Sequence, residues 1–235
     1  SILAHSTHKF SRPEHASQYV LHVLGTHEVS ERHEIHLADG RALTQLSYPV
    51  HDADGRNLGR MWLYEDITRQ RQTAEQLVYL AERDSLTGLF NRHRFKSELE
   101  RTLQLSSRAG SKFALFYFDL DEFKYINDTF GHSAGDTVLV RVTGELNTQI
   151  RNGEVFARLG GDEFAILCPC KAEDDIRALA QRVLRSVAQI PFRFRGQNMR
   201  LTTSVGVAVY PDHGLTTEEL VAHADTAMYA AKQHG

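Results

Sequence analysis

Residues 155–167 read VFARLGGDEFAIL. Two apolar, strand-like runs flank Gly160 and Gly161, which is the length and chemistry of the tight turn of a β-hairpin. Glycine tolerates positive φ angles and lets a second backbone or a phosphate group approach closely. Directly after the predicted turn, Asp162 and Glu163 supply adjacent carboxylates, which are ligands that hard divalent cations prefer. The stretch alone also fits an ordinary acidic hairpin, so its function depends on what surrounds it.

A second acidic segment follows a buried strand upstream. Residues 113–118 read FALFYF, a continuous apolar run of the kind found in buried strands. The run ends at Asp119, which is followed by Leu120 and Asp121, so Asp119 is predicted to lie where the strand gives way to a loop. If this strand lies beside the hairpin, Asp119 and Asp162 converge at one end of a sheet. Two carboxylates that close would repel each other strongly unless a divalent cation lay between them.

Four motifs, taken in order, resemble those of the GGDEF family of diguanylate cyclases. They are DSLTGLFNR at 84–92, DLDEFKYINDTFGHSAGD at 119–136, GGDEF at 160–164 and ADTAMYAAK at 224–232. Four motifs in the right order are far more specific than any single short match. The resemblance implies an α/β (α+β) fold with a central, mainly antiparallel sheet and flanking helices, as in nucleotide cyclases and polymerase palms.

The resemblance also implies a reaction and a cofactor. Cyclases of this family condense two GTP molecules into cyclic di-GMP and two pyrophosphates. Because each domain binds one GTP, turnover implies a homodimer whose two domains face each other. The implied cofactor is Mg²⁺ (or Mn²⁺), and Mg²⁺ completes its octahedral shell with substrate phosphates. The positions that match the family's metal ligands are Asp119, the carbonyl of Leu120, Asp162 and Glu163.

Other matched positions are implied to act on GTP. The catalytic ones are Glu163, Asp162 and Lys124, and those that bind GTP are Asn127, Asp136, Glu122, Phe123, Lys124, Gly160, Gly161 and Lys232. Backbone N–H groups at 122–124 could hold phosphate oxygens. An amide together with a carboxylate suits the acceptor and donors of guanine. More ordinary alternatives exist, since a lone lysine is usually solvated, Asn127 could form a turn and Asp136 could cap a helix at 137–150.

One family feature is altered in this sequence. Many members carry an inhibitory product site, Arg-x-x-Asp, shortly before the hairpin. Here the corresponding residues are Arg151 and Glu154, so the second anchor is one methylene longer. We therefore interpret this pair as a degenerate inhibitory site and do not expect tight product inhibition.

Composition narrows the class of function. The chain has 235 residues, 41% hydrophobic and 24% charged, as expected for one or two globular domains. A net charge of −3 argues against nucleic acid or an anionic membrane as a partner. No apolar run approaches the roughly 20 residues of a membrane helix, and no secretory signal is recognisable. We expect a cytoplasmic segment without membrane contact, while a membrane anchor further upstream in the natural protein stays open.

Neither the cysteines nor the histidines predict a metal or redox site. Cys168 and Cys170 are the only cysteines and lack metal-ligand spacing, so reduced thiols are expected. Residues 1–67 contain eight of the thirteen histidines, and scattered surface histidines are favoured over haem or metal ligation.

The N-terminal part follows a different pattern. Asp-Gly pairs at 39–40 and 54–55 separate strand-like runs at 32–38, 42–50 and 58–66, which predicts a three-stranded antiparallel meander. The meander closes on Asp66-Ile67-Thr68 and a helical segment follows, an arrangement that resembles the C-terminal half of a PAS sensor domain.

The helical segment connects the two parts. Ile67, Ala74 and Ala81 recur every seven residues, a heptad pattern too short to form a stable coiled coil alone. Both a solvated linker and a parallel dimer stalk fit it. The predicted domains are a partial PAS-like sensor at 1–67, a helical signalling linker at 68–83 and a GGDEF cyclase domain at 84–235.

Two main functions follow from these expectations. The first is an active diguanylate cyclase that works as a dimer under control of the PAS-like domain. The alternative is a GTP-binding regulatory module for a phosphodiesterase (EAL) domain, since we expect the sequence to be a fragment to which a C-terminal domain could be attached. A third option is a pure sensor or dimerisation unit, which would not bind GTP.

Overall fold

A computed structural model describes residues 10, 11, 13–26, 28–151, 153–170 and 172–234 of the chain. It divides into two compact units, Ser1–Tyr79 and Leu80–Gly235. No helix within these described ranges is both long and apolar enough to cross a membrane.

The first unit contains a helix and a three-stranded sheet. Helix α1 spans Pro13–Leu24, and the strands are β1 (His33–His36), β2 (Ala42–His51) and β3 (Asn57–Asp66). The strands pair antiparallel in the order β1-β2-β3, as the two Asp-Gly pairs predict. Gly40 and Gly55 have φ angles of 89° and 80°, which only glycine adopts without strain.

Helix α2 spans Thr68–Glu82 and crosses the boundary between the units. The Asp66 side chain begins it by accepting a hydrogen bond of 3.0 Å from the backbone N–H of Thr68. None of its residues is buried, although residues 77–81 form an apolar run near its C-terminal end. Most helical stability in proteins comes from tertiary packing, so a helix this exposed is only marginally stable without a partner surface.

The second unit is a sheet covered by helices. Its elements are α3 (Arg92–Ala109), β4 (Lys112–Leu120), α4 (Phe123–Phe130), α5 (His132–Asn147), β5 (Val155–Gly160), β6 (Glu163–Cys170), α6 (Glu173–Gln189), β7 (Phe192–Phe194), β8 (Gln197–Met199), β9 (Thr203–Tyr210) and α7 (Thr217–His234). The main sheet has the order β5-β6-β4-β9, and every neighbouring pair is antiparallel. The predicted antiparallel sheet with flanking helices is therefore confirmed.

Strand β4 lies in the middle of two apolar layers. Phe116 and Phe118 pack with residues of α5 and α6, whereas Leu115 and Tyr117 face α3 and α7. Each of the first three is fully buried. Complete burial of such a side chain contributes roughly 1.5–3 kcal/mol relative to exposure. The core thus fixes β4, and with it the acidic residues at its C-terminal end.

Two local predictions were wrong by one or two residues. β4 continues to Leu120 because it pairs with strands on both sides, so Asp119 lies within the strand and not at a loop. The hairpin turn consists of Gly161 and Asp162, because Gly160 still pairs with Glu163. The short β7-β8 hairpin was not predicted at all, since its strands are three residues each.

Candidate functional site

The site is organised by the register of two neighbouring strands. Asp119 of β4 lies directly opposite Glu163 of β6, so their side chains project from the same face of the sheet. Like charges in that position destabilise a sheet, and here each carboxylate is held by a cation from a different helix. Lys232 Nζ of α7 donates to Asp119 Oδ2 at 2.5 Å, and Arg92 Nη2 of α3 donates to Glu163 Oε2 at 3.1 Å.

The Asp119 carboxylate is only half satisfied. Its Oδ1 is buried and has no hydrogen-bond partner among the described residues. Such an oxygen usually costs free energy unless a ligand completes its coordination. The pKa of the Lys232 ammonium is raised, and the main cause is its hydrogen bond to Asp119. Lys232 therefore stays charged beside the acid at neutral pH.

Asp162 is the second acid of the site, and its surroundings disfavour its ionised form. Burial raises the pKa of Asp162, and the negative charge of Asp119 raises it further, against the opposing effect of Lys232 and Arg158. A divalent cation between Asp119 and Asp162 would remove this repulsion and satisfy the free Asp119 oxygen. Both acids therefore fit a divalent metal ion.

Glu163 does not join them in this structure. Among the described residues, no group of three or more His, Cys, Asp and Glu side chains is gathered in a metal-binding arrangement. Glu163 stays apart from the other two acids because its carboxylate is bound to Arg92. The side chain of Leu120 is fully buried, and the metal-binding role of its carbonyl stays a prediction.

A salt bridge fixes the hairpin turn from behind. Arg158 Nη1 donates to Asp84 Oδ1 at 3.0 Å, while its Nε and Nη2 donate to the carbonyl of Gly161 at 2.9 and 2.8 Å. Burial alone would raise the pKa of Asp84, yet hydrogen bonds from Thr87 and Arg158 lower it overall. Asp84 is thus an ionised anchor for the turn that carries Asp162.

The first turn of α4 offers a second kind of contact. Glu122 has a φ angle of 56°, and the helix begins at Phe123. The first backbone N–H groups of a helix have no intrahelical acceptor, and they attract anions such as phosphate. Lys124 is exposed in this turn. The predicted phosphate contacts of 122–124 therefore lie at a helix N-terminus next to the acidic end of β4.

The predicted base-binding residues come from two adjacent helices. Asn127 of α4 packs so closely against Gly135 of α5 that a Cβ atom there would lie 2.1 Å from Asn127 Oδ1. Asp136 follows Gly135 directly and is exposed. Because α5 begins at His132, Asp136 lies within its first turns and is not the helix cap considered above. The structure thus places Asn127 next to the backbone that carries Asp136.

The predicted inhibitory pair lies elsewhere in the unit. Arg151 and Glu154 line a cavity of about 270 Å³ together with Cys168 and Arg182. Glu154 Oε2 accepts the backbone N–H of Arg151 at 2.8 Å, and Oε1 accepts the thiol of Cys168 at 3.5 Å. Burial raises the pKa of Cys168 to about 12, with the charge of Glu154 adding to the effect. The Glu154 carboxylate is therefore already engaged by its own chain.

Sequence reasoning missed three residues that position the site: Asp84, Arg92 and Arg158. Asp84 and Arg92 lie in the DSLTGLFNR motif, which was recognised without a role for its charged residues. Arg158 stands two residues before Gly160 inside a strand-like run. Charged residues inside or beside apolar motifs were the available signal, since buried charges are rarely left unpaired.

Comparison with known proteins agrees with this geometry. The family described as "Diguanylate cyclase, GGDEF domain" matches residues 81–235. The probable diguanylate cyclase DgcE of Escherichia coli (strain K12) is 36% identical over 187 residues, which cover 80% of this chain and 17% of DgcE. The cyclic di-GMP phosphodiesterase PdeR of the same strain is 36% identical over 187 residues, or 79% of this chain and 28% of PdeR.

A solved structure shows the same fold. The crystal structure of a sensory box/GGDEF family protein from Caulobacter crescentus CB15 has a TM-score of 0.61 and 39% sequence identity. The match covers 66% of this chain and 99% of that one. By contrast, this chain spans less than a third of the length of DgcE or PdeR.

Proposed function

Since this chain belongs to the GGDEF family of diguanylate cyclases, we propose that its second unit condenses two GTP molecules into cyclic di-GMP and pyrophosphate. One observation carries the proposal. The buried carboxylate of Asp119 lies beside Asp162 and accepts a hydrogen bond from Lys232 at Oδ2, while its Oδ1 has no hydrogen-bond partner in the part of the chain that the structure describes. Two acids and a lysine at one end of the two central strands suit a metal-bound triphosphate.

The metal would be held by this chain's acids. Asp119 and Asp162 are the primary ligands, with Glu163 and the carbonyl of Leu120 completing the protein's share. When bound, Mg²⁺ or Mn²⁺ neutralises phosphate charge and activates the attacking 3′-hydroxyl.

The remaining proposed contacts are made to two parts of GTP, its phosphates and its guanine base. Phosphate oxygens bind the N–H groups at the start of α4 and the ammonium groups of Lys124 and Lys232. Gly160, the last residue of β5, and Gly161, the first residue of the turn, are both exposed and leave room for a phosphate to approach the backbone. Asn127 and Asp136 present an amide and a carboxylate to the guanine edge. These roles explain why the chain gathers cations and acids from five different helices and strands.

Turnover requires two such domains, and helix α2 offers the means to pair them. None of its residues is buried, and Leu77, Val78 and Leu80 are 63%, 55% and 67% exposed. An apolar surface of this kind suits a parallel dimer stalk between a PAS-like sensor (1–67) and the cyclase domain (84–235), with the linker at 68–83. Consumption of GTP places the domain in the cytoplasm.

A second candidate keeps GTP binding without synthesis. The similarity to PdeR, a protein named as a phosphodiesterase, favours a regulatory module for a phosphodiesterase domain elsewhere in the protein. The complete set of acids and lysines in this chain favours the cyclase.

Incubation with GTP and Mg²⁺, followed by chromatography for cyclic di-GMP, separates the two candidates. The cyclase gives product at a specific rate that rises with protein concentration, because the active species is a dimer. The Asp119→Asn and Glu163→Ala variants are expected to fold and to make no product. GTP binding without product at any concentration would instead support the regulatory module.

A further inference from the structure

We propose that Arg92 is a positioning residue that holds Glu163 away from the metal site and exchanges it for Asp225 when a metal ion binds. The proposal rests on the metal site proposed above and adds a mechanism for admitting Glu163 to it. It starts from the finding that Glu163 of β6 lies beside the site, yet its carboxylate is paired with a cation of helix α3.

Glu163 has two destinations within reach. It lies directly opposite Asp119, where side chains on one face of a sheet are about 4.5–5.5 Å apart at Cβ. Rotation of its side chain can therefore carry the carboxylate towards a cation on Asp119 without moving the backbone. In this structure its Oε2 accepts a hydrogen bond of 3.1 Å from Arg92.

Arg92 is built to hold that position. It is the first residue of α3, directly after Asn91, whose side chain caps the helix. Its Nε donates to the carbonyl of Leu159 at 2.9 Å, so the same guanidinium binds both strands of the hairpin. Release of Glu163 would leave one end of this guanidinium without an anion.

Asp225 can take that place. A cavity of about 600 Å³ is lined by Arg92, Glu163 and Asp225, with Tyr117 as a buried side chain among them. The Asp225 carboxylate has no hydrogen bond or ion pair with any residue in the described ranges. The charges of all three groups act on the Tyr117 hydroxyl, whose pKa is raised first by burial. Arg92, Glu163 and Asp225 therefore share one cavity with Tyr117.

The exchange requires that the Glu163 carboxylate prefer neither Arg92 nor the metal site strongly. The Arg92 and Glu163 side chains are 65% and 42% exposed. Exposed ion pairs of this kind change equilibria by only about 1.4-fold to 5-fold. A metal ion at Asp119 and Asp162 can therefore outcompete Arg92 for Glu163, and removal of the charge of Arg92 or of Asp225 is expected to change metal affinity by a similar factor.

Mn²⁺ binding to the whole chain without GTP, followed by electron paramagnetic resonance, tests the exchange. Arg92→Gln is expected to tighten Mn²⁺ binding about twofold to fivefold, because Glu163 is free to join the ion. Asp225→Asn is expected to weaken it by about the same factor. In the double variant Asp225→Asn has no further effect, since the arginine that needs the second partner is gone.

Matched controls separate this mechanism from general electrostatics. Lys96 and Glu218 line the same cavity and carry the same charges as Arg92 and Asp225. Lys96→Gln and Glu218→Gln are expected to leave Mn²⁺ affinity unchanged within 1.4-fold, about 0.2 kcal/mol. Equal shifts in these controls, or additive effects in the Arg92/Asp225 double variant, would overturn the proposal.

The remaining outcomes also decide. If the wild-type chain binds no Mn²⁺, the metal site of the proposed function fails and the exchange fails with it. If Mn²⁺ binds but Arg92→Gln has no effect, only the exchange is wrong. Should Arg92→Gln fail to fold, Arg92→Lys keeps the charge but loses the planar guanidinium that spans the Leu159 carbonyl and Glu163, and it is expected to tighten Mn²⁺ binding less than twofold.

Discussion

Lys232 binds Asp119 across 113 residues of sequence, with 2.5 Å between Nζ and Oδ2. The contact depends on how closely α7 packs against β9. At Gly206 of β9 a Cβ atom would lie 2.0 Å from the carbonyl oxygen of Ala224 in α7. A single glycine therefore lets the last helix approach the sheet closely enough to deliver its lysine to the acid.

Replacing Lys232 by Met is expected to raise the KM for GTP at least tenfold. The ammonium loses both its bond to Asp119 and its proposed contact with a phosphate, and charge-assisted hydrogen bonds contribute about 1.5–3 kcal/mol. Steady-state kinetics with GTP would measure the change. Lys112→Met is the matched control. Lys112 is the first residue of β4, the strand that carries Asp119, and its Nζ donates to Asp212 Oδ2 at 2.7 Å. Equal KM values in the two variants would remove Lys232 from the site.

Gly135→Ala is expected to weaken GTP binding about fivefold to a hundredfold. The new methyl group would lie 2.1 Å from Asn127 Oδ1 and must push the amide away. Loss of one or two hydrogen bonds to guanine costs about 1–3 kcal/mol. Titration with GTP by calorimetry measures the loss.

Gly144→Ala provides the comparison for that variant. Gly144 is on the same helix, and an added Cβ there meets no atom within 4 Å. Alanine in a helix is favoured over glycine by about 0.5–1 kcal/mol, so this variant is expected to melt slightly higher and bind GTP normally. Normal GTP affinity in both variants would show that Asn127 does not contact the base.

The convergence of Asp119 and Asp162 could be predicted because each follows or joins a long apolar run. Such runs pair in a sheet, and the family resemblance supplied the order of the motifs. The antiparallel sheet and the meander of the first unit followed from the same kind of pattern. These features depend on many residues acting together, so single exceptions do not hide them.

The partners of Glu163 could not be predicted. Arg92 lies 71 residues away in sequence, and nothing in its local pattern indicates which acid it binds. The start of β6 at Glu163 could not be predicted either. It follows from the pairing of Gly160 with Glu163, and a Gly-Gly sequence allows this pairing without requiring it. Long-range ion pairs and exact turn positions are set by tertiary packing, which local propensity does not encode.

Cys168 is expected to resist thiol reagents in the folded protein. Its pKa is raised to about 12 by burial, so only about one molecule in ten thousand carries the thiolate at pH 8. Reaction with a disulfide reagent at pH 8 is expected only after denaturation in guanidinium. Rapid labelling of Cys168 in the native state would contradict the buried position.

The same shift predicts how stability depends on alkaline pH. The folded state keeps the Cys168 proton that the unfolded chain loses near pH 8.5. The contribution of this thiol is therefore complete below about pH 8.5 and is lost as the pH rises towards 12. Cys168→Ala is expected to show a shallower loss of stability over that range in urea unfolding.

Asp162→Asn is expected to stabilise the metal-free protein while abolishing its response to Mg²⁺. Burial and the neighbouring charge of Asp119 raise the pKa of Asp162, so its ionised form opposes folding at neutral pH. The group is partly exposed, and the gain in melting temperature is accordingly small, about 1–3 °C at pH 7. As the pH falls through the raised pKa, wild-type Asp162 becomes neutral and the advantage of asparagine disappears.

Thermal unfolding from pH 4 to pH 8, with and without Mg²⁺, measures both effects. Asp128→Asn, at an exposed position of α4, is expected to change neither the melting temperature nor its rise with Mg²⁺. An Asp162→Asn protein that still gained stability from Mg²⁺ would place the metal elsewhere in the molecule.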